Sequence, residues 1–226
     1  MNREDNTELK RVILDHLASM YKIKEVREPN HLSSYVYCLT KGFLDQKQAA
    51  EPSDEEVMLF ALGYGLQDVL TPKEAKVPIY EKHGIIYRPD MMMSRNEVER
   101  LQELKTTRKS AKYHYTDSAL PETWIAYMQG GCYMLDKTQY DLIILYMLGN
   151  YSPPFPQIYA ETITFTQEEI QDNWDRIMTN KMILDDALLT NIPPEPFKYC
   201  YDWECKFCRY KLTCDALVTV GIRSLQ

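Results

Sequence analysis

The chain has 226 residues, 45% of them hydrophobic and 26% charged, and a formal net charge of −7. That length can bury one sizeable core, and the composition excludes a disordered or fibrous protein. The acidic balance argues against a histone-like coat on nucleic acid, but not against an enzyme with acidic metal ligands and one local basic strip.

The opening "MNREDNTELKR" is charged and has no apolar signal core. The longest apolar run, Leu142 to Leu148, is strand-sized, so no membrane partner is expected. A cytoplasmic, reducing compartment follows, in which six cysteines favour metal ligands or free thiols over disulfides. Thr7 to Tyr21 is amphipathic at helical spacing through Leu9, Val12, Ile13, Leu17 and Met20. A second helix is predicted from His31 to Phe43, with Ser33 as its cap and Cys38 inside it. After the polar break "KQAAEPSD", a third runs from Asp54 to Leu70, with Asp54, Glu55 and Glu56 at its positive end.

The middle of the chain changes period. "VPIYEK", "GIIYRPDMM" and "VERLQELKTT" are predicted as three short strands. A helix is expected from Pro121 to Asp136, then the strands "YDLIILYMLG" and "PQIYAETITF" around the turn "NYSPPFP". A long helix from Thr166 to Asn191 starts on Thr166, with Glu169 three residues on, and ends at "IPPEP". Repeats, low-complexity runs and interdomain linkers are absent from the sequence. Helices before and after a cluster of strands predict an α/β (α+β) domain, a mixed β-sheet flanked by helices.

Asp90 ends the strand-like run "GIIYRPD", and Glu103 and Lys105 stand as Glu-x-Lys in "LQELKTT". Strand alternation puts Glu103 and Lys105 on one face and turns Leu104 into the core; if the strands pair, Asp90 comes near that face. Two carboxylates can hold a hard divalent cation, which activates water and neutralises phosphate charge. A lysine beside them can orient or deprotonate that water, or stabilise the transition state. Downstream, "WIAYMQGGCYML" places Gln129 and Tyr133 one helical turn apart. Taken singly, each of these features is more often a solvated pair or a core-edge polar residue.

In this order the residues resemble the RecB-like branch of the PD-(D/E)XK nucleases: Asp90, Glu103 and Lys105, then Gln129 and Tyr133 as Gln-x-x-x-Tyr. The resemblance implies that Asp90, Glu103 and the Leu104 carbonyl bind Mg²⁺ or Mn²⁺. It also implies that Lys105 assists catalysis and that the Gln129/Tyr133 helix lies beside DNA and the site. Where such nucleases commonly carry a further metal-binding histidine on an earlier helix, "ALGYGLQDVL" offers Gln67, whose neutral amide oxygen would have to replace imidazole.

Cys205-x2-Cys208-x5-Cys214 allows zinc or an iron–sulfur cluster by spacing alone, and either needs a fourth ligand. Cys200 is the local candidate and Cys38 the distant one. Cys132, inside a predicted helix beside Met128 and Met134, has the setting of a small buried hydrophobe. "HLSSYVYCLTKGFL" and the trailing cysteine spacing resemble the iron–sulfur subgroup of the RecB-like nucleases, with the AddB nuclease domain and the CRISPR-associated exonucleases. That resemblance implies a [4Fe–4S] cluster on Cys38, Cys205, Cys208 and Cys214. It implies a single domain, with a nuclease core near residues 50–192 and an iron–sulfur lobe from about 31–46 plus 197–226.

The activity implied is that of a metal-dependent DNA exonuclease on single strands or ends. Its partners would be DNA and, in CRISPR spacer acquisition, repair or phage recombination, an integrase or recombination protein. Arg108, Lys109 and Lys112, in an acid-free strip just after the Glu-x-Lys strand, are the DNA-contact candidates. The alternative from another class is a catalytically weak DNA-binding or adaptor protein on the same fold, motivated by Gln67. A zinc-stabilised protein of unrelated function is the third reading.

Overall fold

The computed structural model describes residues 7–21, 30–71, 77–95, 98–107, 120–147, 157–195, 205 and 208–219. Its helices are α1 (Thr7–Met20), α2 (Ser33–Val36), α3 (Leu39–Lys47), α4 (Asp54–Leu70), α5 (Glu122–Met134), α6 (Gln167–Thr190) and α7 (Lys211–Thr219). The strands are β1 (Tyr80–Lys82), β2 (Ile85–Tyr87), β3 (Met91–Arg95), β4 (Val98–Thr107), β5 (Gln139–Tyr146) and β6 (Gln157–Thr164).

The central sheet has the order β3-β4-β5-β6. Only the β4–β5 pair is parallel, because α5 lies in the crossover between those strands. Leu101, Tyr140, Leu142 and Ile144 point from the sheet to α5, where Met128 and Cys132 complete a buried cluster. Asn173 on α6 donates to the Ala126 carbonyl of α5 at 2.9 Å, and Trp174 and Ile177 bury against α5, α2 and α3. Thr166 and Glu169 form the expected reciprocal cap at the start of α6. Ser53 and Glu56 do the same for α4, where the sequence had drawn attention only to the acids.

Two predicted elements are divided. The run "GIIYRPDMM" becomes β2 and β3, because Pro89 lacks a ladder N–H and breaks the strand. β1 and β2 form a separate hairpin whose turn residues, His83 and Gly84, take φ of 54° and 70°, the type I′ arrangement. Asp90 therefore stands in the break ahead of β3 and does not end β2.

The predicted helix from His31 to Phe43 splits into α2 and α3. In a continuous helix the Tyr35 carbonyl would accept from Leu39, but Asn180 of α6 takes it at 2.7 Å. Tyr37 becomes extended and Cys38 becomes the residue preceding α3. Cys38 thus sits in a helix break and not inside a helix. Ser33 is not a cap; its hydroxyl meets His31 Nδ1 at 3.0 Å. Among the described residues, no helix is long and apolar enough to cross a membrane.

Candidate functional site

Where β3 ends its pairing with β4 at Met91↔Gln102, β4 runs on with that edge open. Asp90 fills the gap: its Oδ2 accepts the Leu104 N–H at 2.9 Å, replacing a ladder bond. The N–H and C=O of one strand residue point to the same edge, so the Leu104 carbonyl also faces the Asp90 side. The Leu104 side chain is buried on the opposite face of the sheet from Glu103.

Glu103 is 4% exposed, although it carries a carboxylate. Its Oε1 accepts from Lys105 Nζ at 2.5 Å and its Oε2 from the Tyr140 hydroxyl at 3.3 Å. Burial pushes Glu103 up to about 7; nearby Asp90 adds to the rise and Lys105 opposes it. Burial also raises Asp90, against the Leu104 N–H, the Lys105 and Arg88 charges and a hydrogen bond from Gln67. For Lys105 burial acts downward, but Glu103, Tyr37 and Asp90 more than reverse it, so the ammonium is held above its ordinary value. Trp124 and Tyr127 of α5 turn their ring faces to the Lys105 Nζ at 5.9 and 5.6 Å.

Gln67 is brought to this place by α4, as the sequence anticipates. Its Nε2 donates to Asp90 Oδ1 at 2.9 Å. In this arrangement the Gln67 amide holds the Asp90 carboxylate. Gln129 and Tyr133 lie on α5, the helix that stands beside Lys105. Tyr133 stacks on Trp174 of α6, with ring centroids 4.2 Å apart, and Lys82 Nζ lies 4.6 Å from its ring. Gln129, a helical turn before it and buried, shares that side of α5, whereas Trp124 and Tyr127 face Lys105. Arg108, Lys109 and Lys112 lie outside the described residues. Arg88, not singled out in the sequence, is exposed beside Asp90 and is a cation at the rim.

Asp90, Glu103 and the Leu104 carbonyl make an all-oxygen donor set, two of its members negative, at an edge that has no strand partner among the described residues. That chemistry suits Mg²⁺ or Mn²⁺ completed by water and substrate phosphate. Among the described residues, no three His, Cys, Asp or Glu side chains gather as a closed metal-holding group. The protein would therefore supply two side-chain ligands and a main-chain oxygen.

The metal-free protein should lose stability as pH rises. A buried Glu103 keeps its proton to about 7, whereas an ordinary glutamate releases it near 4.5, so the folded state holds the extra proton between those values. The contribution is fully present below 4.5 and disappears as pH climbs through 7. Thermal melts of wild type and Glu103→Gln at pH 5 and pH 8 check it. Wild type should fall relative to the variant at pH 8, and a constant difference would contradict the ionisation described.

Away from the sheet, α7 and the turn before it dock beside α3 through Tyr210 and Asp45. Tyr210, 3% exposed, donates to Asp45 at 2.6 Å and accepts from the Ala50 N–H at 3.1 Å. Arg209 donates to Glu56 Oε1 and to the Ala50 carbonyl, each at 3.1 Å. This brings Cys208 within electrostatic reach of Cys38: burial raises its thiol, and Cys38 and Cys205 raise it further, although among the described residues the thiols do not gather as a metal-holding group. Cys38, Cys205, Cys208 and Cys214 are not in disulfides, and their sulfurs are the soft donors that iron–sulfur clusters or zinc require. Cys200 lies outside the described residues. Cys132, on the sheet side of α5, is wholly buried and pushed up to about 12 by that burial, which makes it an inert packing residue.

No family model and no curated protein sequence matches this chain. Among solved structures, the crystal structure of SSO0001 superposes on 92% of this chain and 97% of its own, at TM-score 0.56 and 17% identity. The shared fold is what that match establishes. An alkaline exonuclease from Laribacter hongkongensis matches at TM-score 0.46 and 10% identity, covering 71% of this chain and 90% of that one. A phage-related exonuclease from Haemophilus somnus 129PT matches at TM-score 0.44 and 16% identity, covering 70% and 83%.

Proposed function

We propose that the protein is a metal-dependent nuclease that hydrolyses DNA phosphodiesters. The observation that carries this reading is the meeting of Asp90, Glu103 and Lys105 at the open edge of β4, with both carboxylates desolvated. Asp90, Glu103 and the Leu104 carbonyl would hold Mg²⁺ or Mn²⁺. Such a cation, when bound, lowers the pKa of its water and neutralises charge on the phosphate. Lys105, beside Glu103, is placed to stabilise negative charge at the phosphate or to orient the attacking water. Gln67 and the Leu104 N–H hold the Asp90 carboxylate in place.

The sequence resemblance narrows the reading to an exonuclease on single strands or DNA ends. It also supplies the [4Fe–4S] cluster on Cys38, Cys205, Cys208 and Cys214, and the context of an integrase or recombination partner. One observation favours a second reading, a DNA-binding adaptor with a weakened centre: Gln67 gives Asp90 a neutral donor and no imidazole.

Anaerobically purified protein incubated with end-labelled single- and double-stranded DNA, with and without Mn²⁺, separates the two. Progressive shortening of single strands only with Mn²⁺ is the expected result. DNA binding with neither cleavage nor uptake of divalent cation would replace the nuclease by the adaptor.

A further inference from the structure

Behind Glu103 two tyrosine hydroxyls run in series into the core. Tyr140 lies 3.3 Å from Glu103 Oε2, and Tyr87 lies 2.6 Å from Tyr140, hydroxyl to hydroxyl. Both tyrosines are 0% exposed. Tyr140 donates its single hydrogen to Glu103, so Tyr87 must donate to Tyr140. Phenylalanine would fill the same space without having to satisfy a buried hydroxyl, so the two oxygens need a reason beyond packing.

The helix above leaves room for them at one position. A Cβ on Gly131 of α5 would stand 2.4 Å from the Tyr87 hydroxyl and 3.1 Å from Cε2 of the Tyr140 ring. No side chain fits there while the chain of hydroxyls stands. Tyr127 meets Tyr87 edge-on, with centroids 5.7 Å apart, and fixes the ring from the side.

We propose that Tyr140, backed by Tyr87 and admitted by Gly131, positions the Glu103 carboxylate for its divalent cation. Tyr140 holds one oxygen from below, which fixes the rotation of the carboxylate about its last bond and leaves the other on the Lys105 side. The role rests on the nuclease reading of the same site. It gives purpose to two buried hydroxyls behind Glu103, and it makes Tyr140 and Tyr87 positioning residues.

Mn²⁺ calorimetry on DNA-free wild type, Tyr140→Phe and Tyr87→Phe tests it, with melting temperatures measured on the metal-free proteins. Tyr140→Phe should weaken Mn²⁺ binding about ten- to a hundredfold, as loss of an outer partner to a metal ligand does. Tyr87→Phe should weaken it less, and cleavage by both should recover most of its rate at saturating Mn²⁺. Gly131→Ala, which displaces Tyr87 from above, should shift affinity in the same direction. Unchanged Mn²⁺ affinity in Tyr140→Phe, beside a lower metal-free melting temperature, would reduce the pair to packing and overturn the proposal. If Tyr140→Phe does not fold, Tyr87→Phe decides by the same criterion. A wild type that takes up no Mn²⁺ at all overturns the nuclease reading itself, and this role with it.

Discussion

Glu103→Ala and Lys105→Ala are each expected to lower Mn²⁺-dependent DNA cleavage by on the order of a thousandfold or more, with secondary structure retained. Glu103 is the more buried of the proposed cation's two carboxylates, and Lys105 is the cation fixed nearest it, at 2.5 Å. The two variants should differ in stability. Removing one partner of a buried pair commonly costs about 3–5 kcal/mol, because the other charge is left uncompensated. In Lys105→Ala the stranded group is Glu103, which can escape the penalty by taking up a proton. Loss of Lys105 removes the opposing influence on Glu103, so its folded pKa rises beyond about 7. Stability is then kept at low pH and lost as pH rises, so melting should fall more at pH 8 than at pH 6. In Glu103→Ala the stranded ammonium keeps Asp90 nearby and two ring faces beside it, and should show a weaker pH dependence. A Glu103→Gln/Lys105→Met double variant should recover much of the stability and none of the cleavage, which separates chemistry from folding. Full activity in either alanine variant would end the assignment of this site.

The legible and illegible parts of this molecule divide along physical lines. Capped helices and alternating strands could be read because their signals are local: Thr166 with Glu169, the acids at Asp54, the alternation through β4 and β5. The break at Tyr37–Cys38 was not, because its cause is Asn180, far along the chain, taking one carbonyl. Pro89 did carry a visible signal, and it could have divided β2 from β3. At the site, Asp90, Glu103 and Lys105 were readable from spacing and strand parity. Tyr140 and Tyr87 were not: each looked like any aromatic strand residue, and only strand pairing sets Tyr140 beside Leu101, next in line to Glu103. Gln129 and Tyr133 show the opposite limit. Helical spacing placed them on one face correctly, but it gave no means of telling that this face meets α6.

Cys38→Ala should remove the colour of the anaerobically purified protein and lower its melting temperature, whereas Cys200→Ala should leave both unchanged. The proposed [4Fe–4S] cluster would close the chain between Cys38 and Cys214. In the chain-entropy account, closing a loop of more than a hundred residues contributes about 5 kcal/mol. The loss should not unfold the protein, because the lobe has anchors of its own. Tyr210 is bonded to Asp45 and Ala50, and Arg209 to Glu56 and Ala50, with no part played by the thiols. Combining Cys38→Ala with Arg209→Ala should therefore cost far more than either alone. The helix break gives the cysteine a second consequence. Tyr37, its chain neighbour, lies close enough to Lys105 to raise its ammonium, so one extended turn of backbone joins the cysteine lobe to the β4 edge. Without the proposed cluster bond, residue 38 of Cys38→Ala would no longer fix Tyr37, and cleavage should fall several-fold even in protein that remains folded. Loss of colour in Cys200→Ala with retention in Cys38→Ala would reverse the choice of fourth ligand. A colourless wild type containing zinc would replace the cluster altogether.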